Sequence, residues 1–232
     1  QQYLALTGPF GFINANGTVD YTKLGSTFNS LINKPLHTSD SSVIDTLARG
    51  QRLEWTASLR WPRSLQAMMP TLRMNNPLDI KGRLNSDSSL LVMNASLPRV
   101  SYDSIHIDSL MLDARIQDTT LKAIVSLASL RHPVAPLHHT ELLANASGGK
   151  LNWDLNLNDA TQKPKYKVGG LVQFLPDSVI TLSLKPELLL NKQQWTAGAD
   201  NIIRLNRGVP DSADLQLSYR EESIRLSTVP DS

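Results

Sequence analysis

"LNWDLNLND", residues 151–159, decides what kind of structure this chain builds. Leu151, Trp153, Leu155 and Leu157 alternate with Asn152, Asp154, Asn156 and Asn158. Successive side chains of a β-strand point to opposite faces, so the segment makes one apolar and one polar face and reads as a half-buried strand. "LEWTASLRW", residues 53–61, repeats the design with Leu53, Trp55, Ala57, Leu59 and Trp61 on one side. The same alternation returns over residues 78–84, 90–97, 121–130, 140–146, 166–174, 179–190, 201–205, 213–219 and 223–229. Strands this regularly spaced predict an antiparallel meander.

The joints between strands carry their own signature. Asp-Ser recurs at 40, 87, 103, 108, 177 and 211, usually just ahead of a strand. Short polar side chains of this kind bond nearby backbone and favour turns. "SGGK" at 147–150 and "LPDS" at 175–178 are further hairpin signals. In "YDSIHIDSLMLDARIQD", residues 102–118, the apolar set slips by one, from Ile105 and Ile107 to Leu110, Leu112, Ala114 and Ile116. A slip of one carries a strand's apolar set to the other face, so a β-bulge or a tight bend at Asp108-Ser109, inserting one residue and keeping Ile105, Ile107, Leu110 and Leu112 on the same face, is expected.

Two stretches have helical spacing instead. Tyr21, Leu24, Phe28, Leu31 and Ile32 follow Asp20, a suitable N-cap, and Trp61, Leu65, Met68, Met69 and Leu72 follow the same three-four rhythm with Pro62 in the first turn. Each is short enough to cap an edge or an end of a sheet. A mainly β domain spanning 1–232 follows, an antiparallel meander with two short helices. The sheet either curls into a half-pipe groove or closes as a β-sandwich. No signal-like or spanning segment occurs, and because the chain starts directly in strand-like sequence and stops at "STVPDS", a piece of a longer envelope protein is expected.

Composition narrows the function. A net charge of +2 and 19% charged residues give no polyanion-binding surplus. Without cysteine there is no thiolate chemistry and no disulfide. No nucleophile elbow, P-loop or dinucleotide fingerprint occurs. "RHPVAPLHHTE" gathers His132, His138, His139 and Glu141, and Asp154 with Asp159 is a conceivable carboxylate pair. Neither converges on a second group of ligands or reactants, so no enzyme, cofactor or metal site is expected. Lys163, Lys165 and Lys167 alternate at a strand start, as edge protection or anion binding would require.

From Pro176 onward, "PDSVITLSLKPELLLNKQQWTAGADNIIRLNRGVPDSADLQLSYREESIRLS" resembles a segment of AsmA-like proteins of the TamB type, the translocation and assembly module proteins, in their Bacteroidetes form. "GRLNSDSSLLVMNASLPRVSYDSIHIDSLMLDARIQD" resembles it too, through its "LPR" step and repeated Asp-Ser strand openings. The likeness covers about the last two-thirds of the chain. It implies a β-taco: a half-pipe with an apolar concave face, in the periplasm, within a protein anchored in the inner membrane. It further implies phospholipid acyl chains as cargo and an outer-membrane assembly protein of the TamA/BamA type as partner, with no reacting residue. The groove-lining candidates are Leu151, Trp153, Leu155, Leu157, Ile180, Leu182, Leu184, Leu215, Leu217 and Tyr219. Each would equally serve as ordinary core of a closed β-sandwich, an interaction module binding protein or glycan through loops such as 131–141.

Overall fold

A computed structural model of the chain describes residues 2–37, 49–133 and 136–228. The chain opens with a hairpin, β1 (Gln2–Gly8) and β2 (Gly11–Thr18), followed by helix α1 (Tyr21–Asn33). Next come β3 (Arg52–Leu59), a single-turn-and-a-half helix α2 (Arg63–Met68), β4 (Leu72–Met74) and β5 (Leu78–Asn85). Five long strands follow: β6 (Leu90–Tyr102), β7 (Ile105–Gln117), β8 (Thr120–Arg131), β9 (Leu137–Ser147) and β10 (Lys150–Asn158). The last third holds β11 (Pro164–Leu175), β12 (Val179–Leu184), β13 (Glu187–Leu190), β14 (Gln193–Ala197), β15 (Ile202–Asn206), β16 (Val209–Tyr219) and β17 (Glu222–Ser227).

All seventeen strands belong to one sheet and every pairing is antiparallel. Neighbours in the chain are neighbours in the sheet, apart from three interrupted strands. β4 and β5 both pair with β6, β12 and β13 both pair with β11, and β14 and β15 both pair with β16. Pro186 sits in the gap between β12 and β13, where a residue without an N–H donor cannot continue a ladder. Turns of two residues in left-handed conformation link several strands, as at Gly148-Gly149, Asn191-Lys192 and Arg207-Gly208. Such turns match the twist of the strands they join.

The sheet curls around α1. Asp20 caps that helix, its Oδ1 accepting from the backbone N–H of Thr22 at 3.0 Å. Leu31 is fully buried, and Leu24, Phe28 and Leu31 gather with Leu53 and Trp55 of β3, Leu84 of β5, Leu91 of β6, Ile116 of β7 and Leu121 of β8. Those three helix residues span ~10 Å of helix axis, whereas five neighbouring strands span ~19 Å. The strand residues of the cluster also face one another across the ladder, from Leu53 through Leu84, Leu91 and Ile116 to Leu121. Past the helix, the carbonyl of Pro35 accepts from Gly149 N–H at 3.2 Å, and Asn33, Leu36 and His37 face the turns at Asp177 and Gly208. The strand turns at this end therefore form an arc about the 3-10 turn Lys34–Leu36.

The architecture is thus an antiparallel meander bent into a half-pipe and not a closed barrel: the outer sides of β1 and β17 carry no strand among the described residues. No second sheet occurs among them either. The helix expected over 61–72 is shorter than its spacing suggested. It stops at Met68 ahead of Pro70, and Leu72 lies in β4 opposite Tyr102. Tyr21 and Ile32, read as part of α1's apolar face, are exposed.

Candidate functional site

Residues directly opposite each other in an antiparallel ladder share a face, so the inner wall can be followed strand by strand from the residues beneath α1. One row runs through Leu53, Leu84, Leu91, Ile116, Leu121 and Ala146. It continues through Leu151, Val172, Leu182, Ile203 and Ala213. The next row passes from Leu4, Ala15, Trp55, Gly82, Met93 and Ala114 to Ala123, Ala144, Trp153, Gly170 and Leu184. A third joins Leu6, Ile13, Ala57, Ile80, Ala95 and Leu112 to Val125, Leu142, Leu155 and Val168. The two indoles carry the only side-chain hydrogen-bonding groups in these rows, and no position is charged.

The outer face is the reverse. The row behind Trp55 and Trp153 holds Asn14, Thr56, Lys81, Asn94 and Asp113, then Ile124, Leu143, Asp154 and Gly169. Asn94 Nδ2 donates to Asp113 at 2.7 Å, and Lys185 pairs with Asp154. Two adjacent glycines serve the two faces separately. A Cβ at Gly169 would collide with Asp154 Oδ1 and the Lys185 stem, so its absence lets that ion pair lie against the outer surface. Gly170 faces inward, and its missing side chain makes room for the Trp153 indole.

Trp55 lies closer still to Gly82, where an added Cβ would overlap indole carbons Cζ2 and Cε2. Both tryptophans therefore lie flat over a glycine on the next strand. Phe28 of α1 then meets Trp55 edge to face at 5.6 Å between centroids, so the helix fills the trough at the Trp55 side. Between the two indoles the middle row holds Ala114, Ala123 and Ala144, short side chains that leave depth above the sheet. The residues around them, Leu112, Val125, Leu142 and Leu155, are half-buried rather than buried. Full burial is confined to the cluster under α1, to a second one of Leu188, Trp195 and Ala197 with Tyr219 stacked on Trp195, and to a few isolated positions.

All ten candidates read from the sequence fall on this inner face. Leu151, Trp153 and Leu155 occupy the three rows, and Leu157 follows by alternation opposite Tyr166. Ile180, Leu182 and Leu184 stand opposite Phe174, Val172 and Gly170. Leu215, Leu217 and Tyr219 alternate with Ala213 on β16. The lining contributed by β3 to β9 and by Phe174, Ile203 and Leu205 was missing from that set, although the same alternation marks it. Near the end occupied by α1, a cleft of about 710 Å³ opens between Leu36 and His37 on one side and Phe174, Ile180 and Arg207 on the other. Phe174 and Ile180 are inner-face residues, so the cleft is continuous with the trough wall.

The phase slip at Asp108-Ser109 has a different cause from the bulge expected there. Leu97 opposes Leu110 and Arg99 opposes Asp108, and on the other side Leu127 opposes Leu110 and Ser129 opposes Asp108. No residue is inserted. Ser109 adopts φ +52°, and the break is shared by the strands alongside, at Pro98, Ala128 and His139, the last with φ +41°. β6, β7 and β8 change phase together, so apolar partners Val100, Ile107 and Leu130 remain matched beyond the crease. A true register shift does occur at another Asp-Ser, where Asp211 is the extra residue of β16 against Arg204 and Leu205. The Asp-Ser at 40 lies outside the described residues.

Asp108 fastens the crease from the polar side. Its carboxylate accepts from Arg99 Nε at 2.7 Å, Ser129 Oγ at 3.1 Å and Arg131 at 3.3 Å. The bond from Arg99, with the Ser129 hydroxyl and both guanidinium charges, holds its pKa below the usual aspartate value against a smaller opposing effect of burial. The carboxylates weighed as a catalytic pair are each engaged elsewhere. Asp154 pairs with Lys185, while Asp159 pairs with Lys192 and accepts from Thr161, which drives its pKa well below the carboxylate range. Among the described residues no three His, Asp or Glu side chains converge as a metal site, and Val134 and Ala135 of the 131–141 loop lie outside them. β11 is paired on both sides, so Lys163, Lys165 and Lys167 guard no edge. No described helix is long and apolar enough to cross a membrane.

Comparison with protein-family models, characterised proteins and solved structures returns no match to this chain.

Proposed function

We propose that this chain is a non-enzymatic lipid-carrying segment of the cell envelope, an AsmA/TamB-like piece whose half-pipe shelters phospholipid acyl chains between membranes. On this reading it works in the periplasm, in a protein anchored in the inner membrane, and supports outer-membrane assembly with a partner of the TamA/BamA type. The observation that carries the proposal is the uncharged inner wall, over which the described residues place no second sheet. An uncovered apolar surface of this extent requires an occupant in water. An acyl chain suits it: each methylene moved from water onto such a wall contributes about 0.8 kcal/mol. No polar anchor is needed along the wall, and the alanines between the two indoles leave room for a flexible chain.

The test is organic extraction of the purified chain followed by mass spectrometry. Phospholipid should accompany the wild type, and Leu142→Glu or Leu155→Glu, each placing a charge on the trough floor, should reduce it severalfold with the fold intact by circular dichroism. A wild-type chain that binds no lipid from cells or from added vesicles would sink the proposal.

A further inference from the structure

The geometry points to a second lipid-facing feature, at the end of the half-pipe opposite α1: a patch that docks on the surface of an anionic bilayer. Four large apolar side chains stand in solvent there. Met68 is 78% exposed, Met69 44%, Phe10 51% and Tyr102 51%. They are contiguous through the backbone. Arg60 N–H bonds the carbonyl of Phe10 at 2.8 Å, α2 follows three residues later, Leu72 pairs with Tyr102, and Asp103 N–H bonds the carbonyl of Thr71 at 3.2 Å.

No fold-level need explains these residues. α2 buries Leu65 only partly and turns Met68 and Met69 outward, and monomeric surfaces seldom cluster large apolar side chains in this way. The occupant is read from the surroundings. Arg60 and Arg73 at the patch are exposed, with Asp103 beside Tyr102 and Asp79 on the strand next to Arg60, and neither arginine forms an ion pair with a described residue. Flexible methionines, two aromatic rings and two exposed arginines outside the ion pairs of the described residues match an interface of acyl chains beneath negative headgroups. This inference builds on the lipid reading above and gives the trough a surface with which to exchange its cargo.

The experiment is co-sedimentation of the full 232-residue chain with vesicles of phosphatidylcholine containing phosphatidylglycerol, and with phosphatidylcholine alone. Binding to the anionic vesicles, weakened by salt, is expected. Arg60→Ala and Arg73→Ala should each lower affinity roughly fivefold, and Met68→Asp with Met69→Asp should abolish it without altering the circular dichroism. Indifference to both vesicle types, or binding unchanged in the methionine variant, overturns the docking surface and leaves the patch to a protein partner. Co-purifying phospholipid is measured on the same preparations. Retained lipid with lost docking overturns only this inference, and intact docking with no lipid overturns only the trough.

Discussion

Replacing Gly82 by alanine tests the inner wall at a point where the obstacle to a new Cβ is a side chain and not backbone. The new Cβ would enter space held by the Trp55 indole, which is itself held by Phe28. Overpacking of this kind costs roughly 1–3 kcal/mol, and displacing the indole from its edge-to-face partner adds about 0.5–1.5 kcal/mol. The expected loss is about 3 kcal/mol, which in a chain of this length lowers Tm by roughly 6–12 °C. The assay is a double-mutant cycle by thermal and urea unfolding. Trp55→Ala alone should cost about 3–5 kcal/mol. On that background Gly82→Ala should be neutral or slightly stabilising, since the obstacle is gone and alanine loses less backbone freedom than glycine. Gly170 supplies the contrast. There an added Cβ meets first the carbonyl oxygen of Ser183 and only then the Trp153 indole, at 2.9 Å. A backbone obstacle survives removal of the indole, so Gly170→Ala should destabilise with or without Trp153. If Gly82→Ala does equal damage in both backgrounds, or Trp153→Ala rescues Gly170→Ala, the two indoles have been assigned the wrong roles.

Asp108→Asn should lower Tm at pH 7 by a few degrees, about 1 kcal/mol after allowing for its exposed arginine partners. Because the folded pKa is depressed, that stability is present above the unfolded value of roughly 4 and is lost as pH falls through the folded value. The gap between the two melting curves must therefore close in acid, and a gap that widens contradicts the network. Ser109→Val should cost about 1–2 kcal/mol, since a β-branched residue resists φ +52°, whereas Ser109→Gly should be nearly neutral; equal chemical-denaturation midpoints would refute the crease. Asp20→Ala should remove about 1 kcal/mol by uncapping α1, read as a lower urea midpoint.

The strands were legible because alternation is a local property. Leu151 to Asn158 announces its two faces without reference to any neighbour, and Asp20 announces a helix start. What pairing decides was harder to read. Within β7 alone, an inserted residue and a shared crease produce the same slip from Ile107 to Leu110. The distinction lay in the strands alongside, where Leu97 to Val100 and Leu127 to Leu130 slip in step. Leu72 kept the helical spacing of Leu65 and Met68 but lies past Pro70, where the chain has left the helix to pair with β6. β14 is short, and only Trp195 and Ala197 of its five residues are buried, which left little periodicity to find. The groove candidates came from strands in which the alternation was cleanest. The lining under α1 obeys the same rule, but nothing local reveals that a helix more than fifty residues upstream will cover Leu84 and Leu91.

The chain-order meander also bears on how the molecule reaches this shape. Nearly every strand pairs with the strand made just before it, so each new hairpin closes a short loop onto an edge already in place. Entropy is spent in small instalments rather than in one long-range closure. Assembly can then advance like a zipper from any hairpin, and opening should run inward from the β1 and β17 edges, where every described residue is exposed. Hydrogen exchange should reveal a gradient of protection along the strand sequence, steepest towards the cluster beneath α1, in place of the uniform protection of a barrel whose last strand must find its first.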